Sequence, residues 1–251
     1  MITNKKMQFI IITAFPEMFR AVSSFGVSSK ALNKKEVELI TINPRNFAKD
    51  RRKKIDNRPF GGGPGMVMMY DPLEKSLLDA KKKIQDGSGK VIYLSPQGKR
   101  LTQNTIKELT KEKALILICG RYKGIDQRLI EKHVNQEISV GDYIVSGGEL
   151  PAMILLDSII RLLPITLKNK DSIVFESLED GLLDYPSYTK PAQHPSGGNV
   201  PEVLLSGNHK KIQLWRRAKQ VKTTYRKRKD IMDLKKLSKT DINQLIKIIE
   251  K

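Results

Sequence analysis

The 251-residue chain is 39% hydrophobic and 29% charged, a balance that suits a folded protein with ample core and excludes a disordered one. Its 46 Lys and Arg against 27 acidic residues leave a formal charge of +19, which favours a polyanionic partner, nucleic acid before an anionic membrane surface. No stretch approaches the roughly 20 apolar residues of a membrane span, and a single cysteine, Cys119, excludes a disulfide within the chain. The expected location is the cytoplasm, with no membrane contact.

Met7 to Thr13 is apolar and β-rich, and reads as a buried strand. Short helices are expected at Pro16 to Ser24 and Ser28 to Asn33, and a second strand at Val37 to Ile42. Arg45 to Arg58 is basic and poor in apolar residues, and reads as a mobile loop. It runs into Pro59-Phe60-Gly61-Gly62-Gly63-Pro64-Gly65-Met66, which neither a helix nor a central strand accommodates. No Gly-Lys-Ser/Thr closes this loop, so it is not a Walker A motif, and a P-loop nucleotide hydrolase is disfavoured. A short strand near Val67 to Tyr70 precedes a helix from Asp71 to Lys83, with Asp71 as N-cap and Pro72 at its first position.

Val91 to Leu94 is a strand ending in Ser95-Pro96-Gln97-Gly98, followed by a helix from about Thr102 to Lys111. The strand Ala114 to Cys119 ends in Gly120-Arg121-Tyr122-Lys123-Gly124, and Asp126 caps a helix to about His133. A last strand reaches Val140. The loop from Gly141 to Gly148 then leads into a helix from Pro151 to Leu163. Strands alternate with helices, so residues 1–166 are expected to be an α/β domain with a mainly parallel sheet. Ligands of open α/β sheets bind at the carboxyl ends of the strands. Three glycine-containing loops at such ends point to one cofactor site, approached through exposed backbone.

Residues 167–180 read as a flexible linker, and 181–251 as a small helical domain. A turn-rich, aromatic stretch from Gly181 to Pro191 comes first. A long helix from Asn208 or His209 to Lys229 follows, with Leu214, Ala218, Val221 and Tyr225 on one face. Between Val203 and Lys229 stand ten Lys and Arg and no acid, the composition of a phosphate-contacting surface. A last helix covers Lys239 to Ile249. Arg52 in the basic loop, with Arg216, Arg217, Lys222 and Arg226 on the long helix, are the expected RNA contacts.

Five motifs together resemble the bacterial tRNA (guanine-N1)-methyltransferase family: Phe60 to Met66, Leu94 to Gly98, Cys119 to Tyr122, Gly141 to Pro151, and Asp180-Gly181-Leu182-Leu183-Asp184-Tyr185-Pro186. They occur in order over nearly the whole chain. The resemblance implies a SPOUT fold with a trefoil knot, a homodimer whose active sites use both subunits, and S-adenosylmethionine bound in the knot. The implied target is the guanine 3′ to the anticodon of tRNA. Matched residue by residue, Tyr93, Leu94, Ser95 and Pro96 would line the adenine side. Gly120 would approach through its backbone. Val140, Gly141, Asp142, Tyr143, Ile144 and Val145, with Gly147, Gly148 and Pro151, would form the knot loop. Arg161 matches the arginine associated with the target guanine, and Asp184 matches a family aspartate linked to RNA.

Three positions depart from the pattern. Glu176 stands where the family has its proposed general base, an aspartate. Ser187 replaces a common histidine. Lys123 replaces an acid linked to magnesium, which leaves a Mg²⁺ requirement open. A cation there would repel the sulfonium, so its flexible stem is expected to carry the ammonium to solvent or RNA phosphate, or to pair it with a nearby acid such as Asp126. The chemistry is coherent nonetheless. Guanine N1 must lose its proton to become nucleophilic, a carboxylate can take it, and an arginine can stabilise the charge that moves to O6. The rival reading is a non-catalytic RNA-binding protein of the same fold, for which Lys123 is the best sign.

Overall fold

A computed structural model describes residues 6–84, 87–163, 177–178 and 181–249. Contacts divide the chain into two compact units, 1–168 and 169–251.

The first unit is built on a parallel sheet. Strand β1 (Met7–Ile12) is wholly buried and pairs with β2 (Val37–Ile42) on one side. Between them lie α1 (Arg20–Ser23), after a 3-10 turn at Pro16–Phe19, and α2 (Gly26–Asn33). The basic segment after β2 is not all loop. It holds a 3-10 turn at Pro44–Phe47, and β3 (Asp56–Asn57) pairs antiparallel with β4 (Val67–Met68) across the glycine-rich turn. Its physical cause is Ile55, a fully buried apolar anchor inside an otherwise polar run. Gly61, Gly62, Gly63 and Gly65 all have positive φ, which is why the turn needs them.

Helix α3 (Tyr70–Lys82) starts one residue before the expected cap. Asp71 lies in its first turn, and Met69 holds the cap position without a side-chain hydrogen bond. Pro72 is therefore third in the helix, still within the first turn, where backbone N–H groups have no helical partner. Strand β5 (Lys90–Arg100), α4 (Gln103–Leu109), β6 (Ala114–Cys119), α5 (Gln127–His133), β7 (Gln136–Ser139) and α6 (Glu149–Leu162) complete the unit. As expected, Asp126 caps α5, its carboxylate accepting from the Arg128 N–H at 3.0 Å.

The strand order is β2-β1-β6-β5-β7, with every ladder parallel. Alternation along the central strands feeds two cores. Phe9, Ile11, Leu115 and Leu117 face α6, which contributes Leu155, Leu156 and Ile159. Ile10, Ile12, Ile116 and Ile118 face α3 and α5, which contribute Leu73, Leu77 and Leu129. Buried on both faces, these strands read as continuous apolar runs. Strand β5 does not stop at Leu94. Leu94 and Lys99 both oppose Ile138 of β7, so Ser95–Gly98 bulges out of the ladder. Gly98 lies against the Glu137–Ile138 backbone, closer than a side chain would permit.

The second unit contains a small ladder of β8 (Gln193–His194) with β9 (Gly198–Asn199), then α7 (Glu202–Leu205), α8 (His209–Lys227) and α9 (Lys239–Ile249). Its buried apolar cluster is small: Leu182, Val221, Leu237 and Leu245. The buried face of α8 matches the expected one in part. Val221 is buried and Tyr225 packs against the cluster as expected, but Leu214 is 60% exposed, and Gln220 and Thr224 are buried in addition. Hydropathy misses the half of this face that is polar. Thr224 is satisfied in place: its Oγ1 donates to the Gln220 carbonyl at 2.7 Å and accepts from the Leu183 N–H at 2.8 Å.

A polar clasp joins α8 to α9. The Arg217 fork donates to both carboxylate oxygens of buried Asp241 at 3.0 Å, and Ser238 Oγ adds a bond at 2.8 Å. Burial pushes the Asp241 carboxyl up, but the Arg217 and Ser238 hydrogen bonds outweigh it and hold it below the usual value of 3.8. A carboxylate with a lowered folded pKa stabilises the fold above its unfolded pKa, and that contribution fades as pH falls through the folded value. Asp241→Asn is therefore expected to destabilise the helical unit by about 2 kcal/mol at neutral pH, and the gap from wild type should narrow steadily as pH falls from about 4 through the lowered folded value. Thermal unfolding followed by circular dichroism as a function of pH checks it. A gap that does not narrow as the pH is lowered contradicts the ionic role.

Candidate functional site

A cavity of about 470 Å³ opens where β5, β6 and β7 end. This is the carboxyl edge of a parallel sheet, where strand ends leave a crevice. Three segments wall it: the β5 bulge, the turn after β6, and the loop from Val140 to Gly148 that runs into α6. Among the expected cofactor residues, Tyr93, Leu94, Ser95, Pro96, Gly120, Val140, Gly141, Tyr143, Ile144, Val145, Gly147, Gly148 and Pro151 line the cavity. Asp142 does not. It is 89% exposed and points to Arg100, 4.0 Å away.

Two glycines are needed because other atoms occupy the space a side chain would take. A Cβ on Gly120 would come within 2.8 Å of the Tyr93 hydroxyl, and one on Gly148 within 2.8 Å of the Cys119 Cα. The second neighbour is backbone and cannot swing aside. The close approach is fastened by the Gly148 N–H, which donates to the Gly120 carbonyl at 2.8 Å. Tyr93 is a neutral wall. Burial above all, with the nearby Glu137 charge, pushes its phenol up to about 12, against an opposing backbone hydrogen bond at Ile125. Cys119, just beneath, is buried, and its thiol is pushed well above the usual range by burial and then by Glu149. It stays a thiol with no part in nucleophilic chemistry.

Sequence reasoning quoted Arg121 and Glu149 only as letters of motifs, and the structure gives them a role. Glu149 is 0% exposed at the first position of α6. Its Oε1 accepts from the Thr13 hydroxyl at 2.9 Å, and its Oε2 lies 2.8 Å from Arg121 Nε. That N–H is not aimed at the oxygen, so the contact is an ion pair rather than a linear hydrogen bond. The Arg121 guanidinium also stacks 4.5 Å over the Phe15 ring and donates to the Ser146 carbonyl at 3.3 Å. The clasp ties the end of β1, the turn after β6 and the last loop together. A signal was present: an acid in the first turn of an apolar helix favours the dipole. Tyr122 was also missed. It lines the cavity with φ of 60°, uncommon for a bulky residue.

Lys123 lines the cavity and lies beneath the glycine-rich turn, its stem against Gly65 and its ammonium toward Gly63. The expected pairing with Asp126 does not form. Arg128 holds that carboxylate with bonds of 2.9 and 2.8 Å, which lower its pKa. The alternative expectation, a stem that carries the ammonium aside, matches this geometry.

The remaining site residues are dispersed. Arg161 sits in the last turn of α6, about 15 Å along the helix from Pro151. Glu176 lies outside the described residues. Asp184 Oδ1 accepts from the Tyr185 N–H at 2.7 Å. Arg52 and Arg226 are exposed, Lys222 is half-buried on α8, and Arg216 stacks 4.7 Å over the Tyr185 ring. Arg217 was expected to meet RNA, but its fork is engaged by Asp241.

A model of the family described as tRNA (Guanine-1)-methyltransferase TrmD matches residues 7–234. The chain belongs to that family. It is 52% identical over 236 residues to a tRNA (guanine-N(1)-)-methyltransferase of Francisella tularensis subsp. tularensis, covering 94% of this chain and 92% of the relative. A protein of the same name from Pseudomonas paraeruginosa is 50% identical over 235 residues, covering 94% of this chain and 93% of its own. For a methyltransferase family the implied donor is S-adenosylmethionine. The cavity suits it in volume, within the roughly 300–1,000 Å³ of small-molecule sites, and in its backbone-lined walls.

Breaking a buried ion pair from one side costs about 3 kcal/mol or more, because the other charge is left behind. Glu149→Gln is therefore expected to lower stability by that order and to weaken S-adenosylmethionine binding about tenfold or more, as the loop from Val140 to Gly148 loosens. Calorimetric titration and a melting curve check both. Unchanged donor affinity would mean the clasp does not shape the cavity.

Proposed function

We propose that this chain methylates N1 of the guanine 3′-adjacent to the anticodon of tRNA, with S-adenosylmethionine as donor. The observation that carries the reading is the cavity ringed by three strand-end segments, in a chain of the tRNA (guanine-1)-methyltransferase family. When bound, the donor supplies a methyl group made electrophilic by its sulfonium. Tyr93 to Pro96 and Gly120 hold the adenine side. The loop around Val140 to Val145, with Gly147, Gly148 and Pro151, would surround the donor's adenine and ribose. Asp142, exposed and turned to Arg100, is left out of the binding set. Among the described residues no group of three His, Cys, Asp or Glu is arranged to hold a metal ion.

Glu176 takes the N1 proton as the methyl bond forms, and the Arg161 guanidinium stabilises the charge that reaches O6. Arg161 lies far along α6 from the cavity of its own chain, which supports an active site shared between two copies. Phe25, Ile144, Leu150 and Ile154 are large apolar side chains left exposed on the first unit, in keeping with a homodimer. The close passage of Gly148 over Gly120, together with the isolated pairing of Arg121 with Gly147, is in keeping with a knotted crossing of the last loop. Residues 1–166 form the donor-binding domain in this reading, 167–180 the linker, and 181–251 the helical tRNA-binding domain. Arg52, Asp184, Arg216, Lys222 and Arg226 meet RNA.

Glu176→Gln keeps size and hydrogen bonding but removes the proton acceptor. Its single-turnover rate at saturating donor and tRNA is expected to fall about 10²–10⁴, with both affinities within about twofold of wild type. A wild-type rate would show that Glu176 is not the base, and a matching loss in Asp184→Asn would transfer the role. Sedimentation should give a dimer at every dilution, and a monomer that does not depend on concentration contradicts the shared site.

A further inference from the structure

The second unit holds a cavity of its own, about 510 Å³, formed between the Tyr185–Lys190 segment, α7 and the start of α8. None of its lining residues lines the donor cavity. Two features give it chemical character. One is π-surface beside cations. Arg216 stacks over Tyr185 at 4.7 Å. Tyr188 leans against Trp215 with ring centroids 6.4 Å apart and planes at 54°, and the Lys219 ammonium sits 5.3 Å over Trp215. The other is an apolar floor left open to solvent. Leu205 is 61% exposed and Tyr188 49%. The surrounding helix carries cations and no acid from Val203 to Lys229.

A flat, uncharged ring attached to an anionic chain satisfies all of these at once. The ring would stack on tyrosine or guanidinium, its edge would meet the Ser187 and Thr189 hydroxyls, and the flanking phosphates would meet the lysines. A purely apolar peptide would leave the cations unmatched. A bare phosphate would leave the aromatic and leucine surface wet.

We propose that this pocket holds an unstacked nucleobase of the tRNA other than the guanine being methylated, as an anchor for the substrate. The proposal rests on tRNA being the substrate. An anchoring base contributes binding but takes no part in bond formation, so its loss alters affinity and not the chemical step. Stacking on one aromatic is worth about tenfold or more in affinity, and it is insensitive to salt because no phosphate contact changes.

Trp215 is the sole tryptophan and lies beside Tyr188, which lines the pocket, so its fluorescence reports on the pocket through that contact. Wild type, Tyr188→Leu and Leu205→Ser are titrated with unmodified tRNA at several salt concentrations, and single-turnover methyl transfer is measured at saturating tRNA. Lys222→Gln serves as the phosphate-contact control. Both pocket variants are expected to weaken tRNA binding about tenfold and to blunt the Trp215 response. Their salt slope should match wild type, while Lys222→Gln lowers it by about one. Their saturated rate should stay within about twofold of wild type. Wild-type affinity in both variants overturns the proposal. So does a loss of affinity accompanied by a lower salt slope, which would mark a phosphate contact. A saturated rate reduced about tenfold or more would make the pocket part of the reacting-guanine site and overturn it as an anchor. If the wild-type protein binds tRNA through this pocket yet transfers no methyl group, the proposed activity fails while the pocket stands.

Discussion

Glu149 is a carboxylate with no exposure to water, and the site depends on how its charge is met. Arg121 lies against one oxygen and Thr13 donates to the other. Counting Glu149 itself, these residues come from three separate places in the chain: the end of β1, the turn after β6 and the start of α6. Removing any of them leaves a buried polar group unsatisfied, which costs more than the pair contributes by being there. The arrangement therefore specifies geometry more than it adds stability. It holds the start of α6 against the turn after β6, so that Gly148 can pass within a hydrogen bond of Gly120. The same contact brings the loop from Val140 to Gly148 around the cavity, and the helix dipole of α6 favours the acid at its first position.

The central strands were legible because their residues are mostly apolar. Val37–Ile42 and Ala114–Cys119 match their expected bounds, and their apolar side chains split between two cores in alternation. The three strand-end loops were legible because glycine and proline punctuate them. What escaped were interactions between distant residues. Arg121 and Glu149 are ordinary letters until folding sets them together. Ile55 hides in a basic run, where composition says loop. Hydropathy put Leu214 on the inner face of α8, yet Leu214 is exposed, and beside Val221 that face holds Thr224, buried with its hydroxyl satisfied, and half-buried Arg217, held by Asp241. Asp126 was offered to Lys123, but a neighbour two residues away, Arg128, claims it through a short local fork.

Charge follows the same logic in the second unit. Among the described residues its apolar core is four buried side chains, and the Arg217–Asp241 clasp supplies part of what that core lacks. That use of Arg217 divides the basic helix by function. One cation holds α9 in place, Arg216 and Lys219 stack on rings, and Lys222 and Arg226 are the ones proposed to meet phosphate. Net charge alone assigns all of them to RNA. Geometry separates those that build the surface from those that use it. In the first unit, Lys123 lines the cavity with its stem packed on Gly65 and its ammonium toward Gly63.

The central claim is that the strand-end cavity is the donor site and that its walls are tied by the Glu149 clasp. Amide hydrogen exchange with and without S-adenosylmethionine tests it most directly, because it reads each wall separately and needs neither RNA nor turnover. The account predicts new protection at residues 93–98, 120–124 and 140–148 together, with none in 185–216. Protection absent from those three segments, or confined to the second unit, would contradict it.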